Sequence, residues 1–299
     1  MRLRLLALAA AAALLGSAAA ATPIRTALTM DDLPAHGPLP PGETRVGIAQ
    51  KVIAALKAAH LSPVMGFVNG GQIEREPASA SVIDQWRAAG FLLGNHGWSH
   101  ADLDQVGPAA FERDIATGEL LLARKMPGQD WRWLRFPYLH EGAEPPTRAQ
   151  VRGYLAEHGY RIAAVTMSFG DFAWNEPYAR CIVAQDKAGI ARLERSYLAA
   201  AAQAPDGVAL PATTDRRAAM PYVLLMHIGA FDARMLPRLL ALYRSHHVRF
   251  VALEQAERDI AYAADVDPRL SPVPKPIAAP RQSYQEMLTD ICRGTLRQP

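Results

Sequence analysis

The chain has 299 residues, of which 20% are charged and 50% are hydrophobic, and its formal net charge is +3. This length allows one large α/β domain or two small ones, and the nearly neutral charge argues against a surface built to bind nucleic acid. The two cysteines, Cys181 and Cys292, are too few for a disulfide framework or for a thiolate metal site.

The first residues have the layout of a secretory signal peptide, predicted over 1–21. Arg2 and Arg4 precede an apolar segment, and small residues lead to an Ala-x-Ala site at Ala19 and Ala21. The apolar segment is shorter than the roughly 20 residues of a membrane span. We therefore expect cleavage near Ala21, no stable membrane anchor, and a periplasmic or secreted protein. In an oxidising compartment the two cysteines are expected to form one bridge that ties the C-terminal tail to the body, with two buried thiols as the alternative.

After the leader, short apolar segments alternate with segments of helical period. Strands are predicted at 26–30, 63–68, 91–95, 131–136, 162–167, 222–228 and 248–253. Helices are predicted at 45–60, 79–90, 108–126, 147–158, 186–203, 233–245 and 253–264. This alternation predicts an α/β fold with a parallel sheet and helices outside it. Seven units favour a closed or nearly closed barrel over an open, doubly wound sheet, which remains the alternative.

Two segments depart from the alternation. Residues 175–220 are predicted to form an additional helical insertion between two strands of a domain spanning 22–265. Residues 266–299 form a C-terminal extension that begins Pro-rich, with an extended strap over 266–282 and a short helix near 283–293.

Reactive side chains follow five of the seven predicted strands, and in barrels such groups collect at the C-terminal ends of the strands. The first strand ends in adjacent carboxylates, Asp31 and Asp32. The other strand ends carry His96 and His100; Arg135, Pro137 and Tyr138; Asp171 and Trp174; and His227. His36, just beyond the carboxylate pair, either reaches the same groove or faces solvent, and solvent exposure is the favoured interpretation.

The spacing of His96 and His100 places both imidazoles on one side of a helical turn. Such a pair is more often structural, but a carboxylate at a neighbouring strand end makes a metal site the better interpretation. Two imidazoles and one carboxylate suit zinc and leave positions open for water and substrate. One of Asp31 and Asp32 would then ligate the ion while the other takes a proton, and the cation would offset their repulsion. The spacing does not say which is which.

Five short motifs occur in order at these strand ends: TMDD (29–32), HGWSH (96–100), RFPY (135–138), DFAW (171–174) and LLMH (224–227). Together they resemble the polysaccharide deacetylase family with the NodB homology domain, carbohydrate esterase family 4, over residues 26–253. The resemblance implies a distorted (β/α) barrel and a metal-dependent hydrolase that removes acetyl groups from carbohydrates. The departures at Met30 and Leu33 from the family's pattern are expected to bear on the substrate.

The resemblance also implies residue roles. Asp31 becomes the general base, oriented by Arg135, and His227 becomes the general acid. The implied metal ligands are Asp32, His96 and His100. Substrate-binding roles fall to Pro137, Tyr138, Trp174 and Leu225, of which Trp174 is a groove wall, Leu225 lines the pocket for the acetate methyl and the Tyr138 N–H stabilises the oxyanion. Asp171 is implied as the partner that holds Arg135.

The expected function is therefore a secreted deacetylase that uses a divalent metal ion, zinc or else cobalt, nickel or manganese, on N-acetyl groups of an amino-sugar polymer. The expected partner is an acetylated carbohydrate, with no nucleic acid. Two alternatives remain open. In the first, the same site hydrolyses O-acetyl esters or a small cyclic amide. In the second, the protein binds a metal or a glycan without turnover, although binding alone would need no base, orienting pair or acid.

Overall fold

The computed structural model describes residues 23–61, 63–207, 220–272, 277–280 and 282–293. The predicted signal peptide lies outside these ranges. Within them, no helix combines the length and the apolar composition that crossing a membrane requires.

A parallel sheet curled into a half-barrel forms the centre of the fold and confirms the predicted fold class. Its strands are β1 (Ile24–Leu33), β2 (Met65–Val68), β3 (Leu92–Asn95), β4 (Trp133–Leu134), β5 (Arg161–Ile162), β6 (Tyr222–His227) and β7 (Val248–Val251). The order is β5-β4-β3-β2-β1-β6, and β7 also pairs with β1. Each predicted strand is found, although β4 and β5 are only two residues long.

Strand β1 is the central element of this sheet. Thr26 and Ala27 pair with both β6 and β7, so these two strands lie on opposite edges of β1. From Thr29 onward β2 replaces β7 as the partner. The side chains from Thr26 to Asp31 are buried, and because β1 is paired on both edges, its C-terminal end lies in the middle of the sheet's carboxyl edge.

The helices cover the outside of the sheet. They are α1 (Arg45–Ala58), α2 (Gly71–Arg75), α3 (Ser81–Ala88), α4 (Leu103–Val106), α5 (Pro108–Lys125), α6 (Pro145–Glu157), α7 (Asn175–Val183), α8 (Lys187–Gly207), α9 (Ala230–Ser245), α10 (Leu253–Glu257), α11 (Ala263–Val266) and α12 (Gln285–Asp290). Short 3-10 turns occur at Pro77–Ala80, Pro137–Leu139, Asp171–Trp174 and Ile260–Tyr262.

Local signals in the sequence account for several helix starts. Thr44 caps α1 by accepting a hydrogen bond from the Gly47 N–H, and Pro108 begins α5, where its missing N–H costs nothing. The continuous helix predicted over 253–264 is wrong. Asp259 adopts an extended conformation and its side chain caps the following 3-10 turn, which separates α10 from α11.

The insertion and the C-terminal extension pack together. Helices α7 and α8 occupy the described part of the predicted insertion, and residues 208–219 lie outside the described ranges. The predicted bridge between Cys181 of α7 and Cys292 after α12 is confirmed. Arg180 adds hydrogen bonds from its guanidinium to the Leu288 and Ile291 carbonyls. The tail is therefore fastened to the insertion by both covalent and polar contacts.

Candidate active site

The two adjacent carboxylates diverge because the backbone conformation of β1 changes near its C-terminal end. Asp31 is paired with His227 of β6, and the register with β2 shifts between Met30 and Leu33. Asp32 has a φ of 67°, a left-handed conformation that aspartate adopts more readily than most residues. Asp32 thus reaches His100 and Asp31 reaches Arg135, while both carboxylates lie 3.6 Å from His96 Nε2.

Asp32, His96 and His100 come together as the sequence predicted. Asp32 Oδ1 lies 3.6 Å from His96 Nε2 and 3.5 Å from His100 Nε2. One ligand atom from each of the three residues lies within 4.8 Å of the others. Burial alone would raise the pKa of Asp32, but the imidazoles of His227, His96 and His100 hold it below its usual value. The carboxylate is therefore anionic at neutral pH.

The donor set fits a divalent metal ion. His96 Nδ1 lies 2.7 Å from the Arg135 carbonyl, so it carries the proton and leaves the lone pair of Nε2 facing the carboxylates, 3.6 Å from both Asp32 Oδ1 and Asp31 Oδ2. Burial lowers the pKa of His100, which favours its neutral, ligating form. Asn69 supports this arrangement by donating to the His96 carbonyl at 2.7 Å. Asn69 directly follows β2, so the strand-end argument applied to that strand would have found it.

Arg135 is fully buried and contacts the other carboxylate. Its Nη1 lies 3.3 and 3.4 Å from the two oxygens of Asp31, and its Nη2 donates to Thr29 Oγ1 at 3.2 Å. The Nε–H donates to the Ala163 carbonyl at 3.0 Å and Nη2 to the Ala164 carbonyl at 3.3 Å. Asp31 is thus oriented by a guanidinium that is itself held from several sides.

The implied contact between Asp171 and Arg135 is wrong. Asp171 Oδ2 accepts a 2.6 Å hydrogen bond from the His227 backbone N–H, and its Oδ1 lies 3.0 Å from His227 Nδ1. The 3-10 turn that begins at Asp171 directs this carboxylate at the end of β6, whereas backbone carbonyls hold Arg135 instead. The Asp171 carboxylate therefore contacts His227, the predicted acid, and not the arginine that orients the predicted base.

The paired carboxylate determines the charge of His227. Burial by itself would disfavour the imidazolium, but the Asp171 carboxylate raises the pKa of His227 to about 10. Burial raises the pKa of Asp171 to about 6, which still leaves it ionised at pH 7. With Nδ1–H directed at Asp171, His227 keeps a second N–H that can be donated elsewhere.

Aromatic side chains flank the polar cluster on two sides. Tyr138 is 59% exposed, has a left-handed φ of 58°, and its ring meets His100 edge-on at 4.6 Å between centroids. Phe172 is 53% exposed and meets His227 edge-on at 5.1 Å. Sequence reasoning did not single out Phe172, although it lies inside the DFAW motif.

Trp174 does not form a wall of the groove as predicted. It is 2% exposed, its Nε1–H donates to Ser196 Oγ, and its ring packs near Tyr197 and Tyr284. The 3-10 turn places Phe172 outward and Trp174 inward, because residues two apart in such a turn lie on different sides of it.

The other predicted contact residues are mostly covered. Pro137 is buried beside the exposed Tyr138, and Leu225 is buried in β6, two residues before His227. Met30 and Leu33 are also fully buried. These two side chains belong to the core, so their effect on the substrate stays a prediction.

Comparison with known proteins agrees with this geometry. Residues 19–163 match the sequence model described as polysaccharide deacetylase. The chain belongs to the polysaccharide deacetylase family. The match ends just after β5, and thus before Asp171, β6 and His227.

Solved structures of deacetylases share the fold over 79% of this chain. The chitin deacetylase of Colletotrichum lindemuthianum is 23% identical, with a TM-score of 0.53 over 88% of its own length. The T48 deacetylase, solved with substrate, is 18% identical, with a TM-score of 0.51 over 92% of its length. A carbohydrate esterase family 4 pseudoenzyme from Bacillus anthracis is 11% identical, with a TM-score of 0.52 over 66% of its length. At these identities the likeness is one of fold, so activity has to be argued from the side chains.

Proposed function

We propose that this member of the polysaccharide deacetylase family is a metal-dependent hydrolase that removes N-acetyl groups from an amino-sugar polysaccharide or oligosaccharide. One observation carries the proposal. A buried carboxylate oriented by an arginine, Asp31, and an imidazolium paired with a carboxylate, His227, lie at paired positions of adjacent strands. Binding a metal or a glycan needs no such pair of proton-transfer groups.

The residues divide the reaction into two proton transfers. Asp31, held by Arg135, takes a proton from the water that attacks the acetyl carbonyl. His227, held by Asp171, gives a proton to the departing amine. Arg135 orients the Asp31 carboxylate, and Asp171 maintains the positive charge of His227, so the acceptor and the donor of the two protons are held by different partners.

Asp32, His96 and His100 are proposed to hold the metal ion, with zinc first and cobalt, nickel or manganese as alternatives. A bound divalent cation polarises a carbonyl and makes water more acidic. Support comes from the donor atoms themselves, a carboxylate oxygen and two Nε2 lone pairs, one of which is oriented by the hydrogen bond from His96 Nδ1. The exposed Tyr138 lies beside His100, and its N–H is proposed as a donor to the developing oxyanion.

Export to the periplasm or to the medium is proposed from the signal-like residues 1–21. The disulfide between Cys181 and Cys292 supports it, because such bridges persist in oxidising compartments. The proposed domain, residues 22–265, would then meet its polymer outside the cytoplasm.

Acetate release from a panel of acetylated glycans, with and without a chelator, tests the proposal. We expect release from N-acetylated oligosaccharides, loss of that release with chelator, and recovery when zinc is added back. Release that resists the chelator would refute metal dependence. Faster release from O-acetylated glycans would favour the esterase alternative, and no release from any member of the panel would favour a binding protein.

The base assignment is tested by Asp31→Asn, which keeps the shape of the side chain. We expect retained zinc binding and a kcat lower by ~10² to 10⁴, the usual contribution of general acid–base catalysis. Asp84→Asn is the matched control, because Asp84 lies on α3, away from the site, and pairs with Lys125. Full activity of Asp31→Asn would refute the assignment.

A further inference from the structure

His36 lies beside the acid of the site and does not face solvent as expected. Its backbone N–H donates to the Ile228 carbonyl at 2.9 Å, which fixes the loop after β1 against the end of β6. Its ring meets the ring of His227 edge-on, with centroids 5.9 Å apart. The side chain is only 14% exposed, and Nε2 is completely covered. The exposed part of the imidazole is therefore on the side away from Nε2.

A buried carboxylate lies behind this imidazole. Asp232 belongs to the first turn of α9 and is fully buried, and its Oδ1 accepts a 2.8 Å hydrogen bond from the Tyr197 hydroxyl. Its Oδ2 lies 3.7 Å from His36 Nε2. Across the described part of the chain, neither of these two atoms has a hydrogen-bonding partner. Because an unpaired buried carboxylate oxygen is costly, His36 Nε2–H is the group placed to satisfy it.

Gly229 leaves the space that this pair occupies. A Cβ at position 229 would lie 2.4 Å from His36 Nε2 and 2.8 Å from Asp232 Oδ2. The φ of Gly229 is −129°, which any residue adopts, so the need for glycine here is steric. The connection between β6 and α9 thus keeps open a recess for the imidazole next to His227.

We propose that His36 is a substrate-positioning residue that binds a hydroxyl group of the acetylated sugar, on the side of the groove where His227 protonates the leaving amine. This inference rests on the function proposed above. With Nε2–H directed at Asp232, the imidazole presents Nδ1 as a hydrogen-bond acceptor, and a sugar hydroxyl supplies the donor. The arrangement repeats that of Asp171 and His227, in which a buried carboxylate also fixes the tautomer of an imidazole at the groove.

The test compares an N-acetylated chito-oligosaccharide with 4-nitrophenyl acetate, which carries an acetyl group but no sugar. For His36→Ala we expect the KM of the oligosaccharide to rise about five- to tenfold, the size of one lost hydrogen bond. We expect its kcat, and both constants for 4-nitrophenyl acetate, to stay within about twofold. Gly229→Ala keeps His36 but fills its recess, and we expect a similar rise in KM. Gly153→Ala on α6, where a Cβ meets nothing, is the matched control.

Thermal unfolding of each variant establishes whether it is folded. If His36→Ala does not fold, Gly229→Ala is used for the test instead. Unchanged oligosaccharide KM in both variants would overturn the inference. An equal fall in kcat for both substrates would also overturn it, since that marks a structural role.

Failure of the proposed function gives a different result, in which the wild type releases no acetate from the oligosaccharide. In that case, calorimetry measures the affinity of each protein for the oligosaccharide. An affinity at least fivefold weaker in His36→Ala than in the wild type supports the inference. Equal affinities, or no binding to the wild type, overturn it.

Discussion

Glu257, at the end of α10, makes the stability of this protein depend on pH. The residue is 6% exposed, its Oε1 accepts a 2.7 Å hydrogen bond from the Ala164 N–H, and its Oε2 is buried without a partner in the described chain. Burial raises the pKa of Glu257 to about 8, although the Ala164 N–H and the charge of Arg135 oppose the effect. In the unfolded chain the same carboxyl has a pKa near its ordinary value of 4.5.

The sign of the effect follows from proton linkage. Between pH 4.5 and about pH 8 the folded protein holds a proton on Glu257 that the unfolded chain has lost. The free energy of unfolding therefore falls as the pH rises through this window, by about 1.36 kcal/mol for each pH unit. From pH 5 to pH 8, this single group removes ~4 kcal/mol of stability. Above pH 8 the contribution is constant.

Glu257→Gln removes this titration while keeping an oxygen that accepts from Ala164. Guanidinium unfolding followed by tryptophan fluorescence at pH 5, 6, 7 and 8 gives the free energy of unfolding of each protein. Between pH 5 and pH 8, we expect the free energy of unfolding of the variant to rise by ~4 kcal/mol relative to that of the wild type. Glu254→Gln on the same helix is the control, because that half-exposed side chain is paired on the surface. The reasoning would be refuted if the difference in free energy of unfolding between the wild type and Glu257→Gln stayed constant within about 1 kcal/mol from pH 5 to pH 8.

The remaining predictions concern the acid, the groove and the tail. Asp171→Asn is expected to lower kcat by ~10² to 10⁴ without releasing zinc, because the imidazolium of His227 loses its partner; unchanged kcat with retained zinc would contradict this. Phe172→Ala is expected to raise the KM of an oligosaccharide about threefold or more by removing an exposed aromatic surface for a sugar, with no change for 4-nitrophenyl acetate; equal KM values would exclude that contact. Replacing both Cys181 and Cys292 by Ser is expected to lower the free energy of unfolding by ~5 kcal/mol, since the bridge spans 111 residues; a loss below about 1 kcal/mol would show that the unfolded chain gains little freedom.

Motifs and periodicity were enough to predict the sheet and the cluster of three side chains that is proposed to hold the metal ion. The seven predicted strands are present, and Asp32, His96 and His100 converge because parallel strands end at one edge of the sheet. The strand-end argument works for these residues because it depends only on chain direction and on short spacings. The disulfide was also predicted, from the presence of two cysteines in a chain expected to be exported.

The errors fall where one turn of backbone determines the direction of a side chain. Asp171 was expected on Arg135, but the 3-10 turn after Gly170 directs it at His227. The same turn buries Trp174 and exposes Phe172. These choices depend on the φ and ψ angles of three or four residues and on what packs beneath them, which the motif letters do not specify.

By itself, the sequence determined the strand order along the chain, the chemical groups at each strand end and hence the family. The family resemblance already implied Arg135 beside Asp31, but only the tertiary structure decided that Asp171 pairs with His227 and that Asp232 lies behind His36. Periodicity is a local property that each segment carries within itself. The pairing of buried polar side chains depends on elements up to roughly two hundred residues apart, as between His36 and Asp232, and these come into contact only when the whole sheet has formed and its helices have packed.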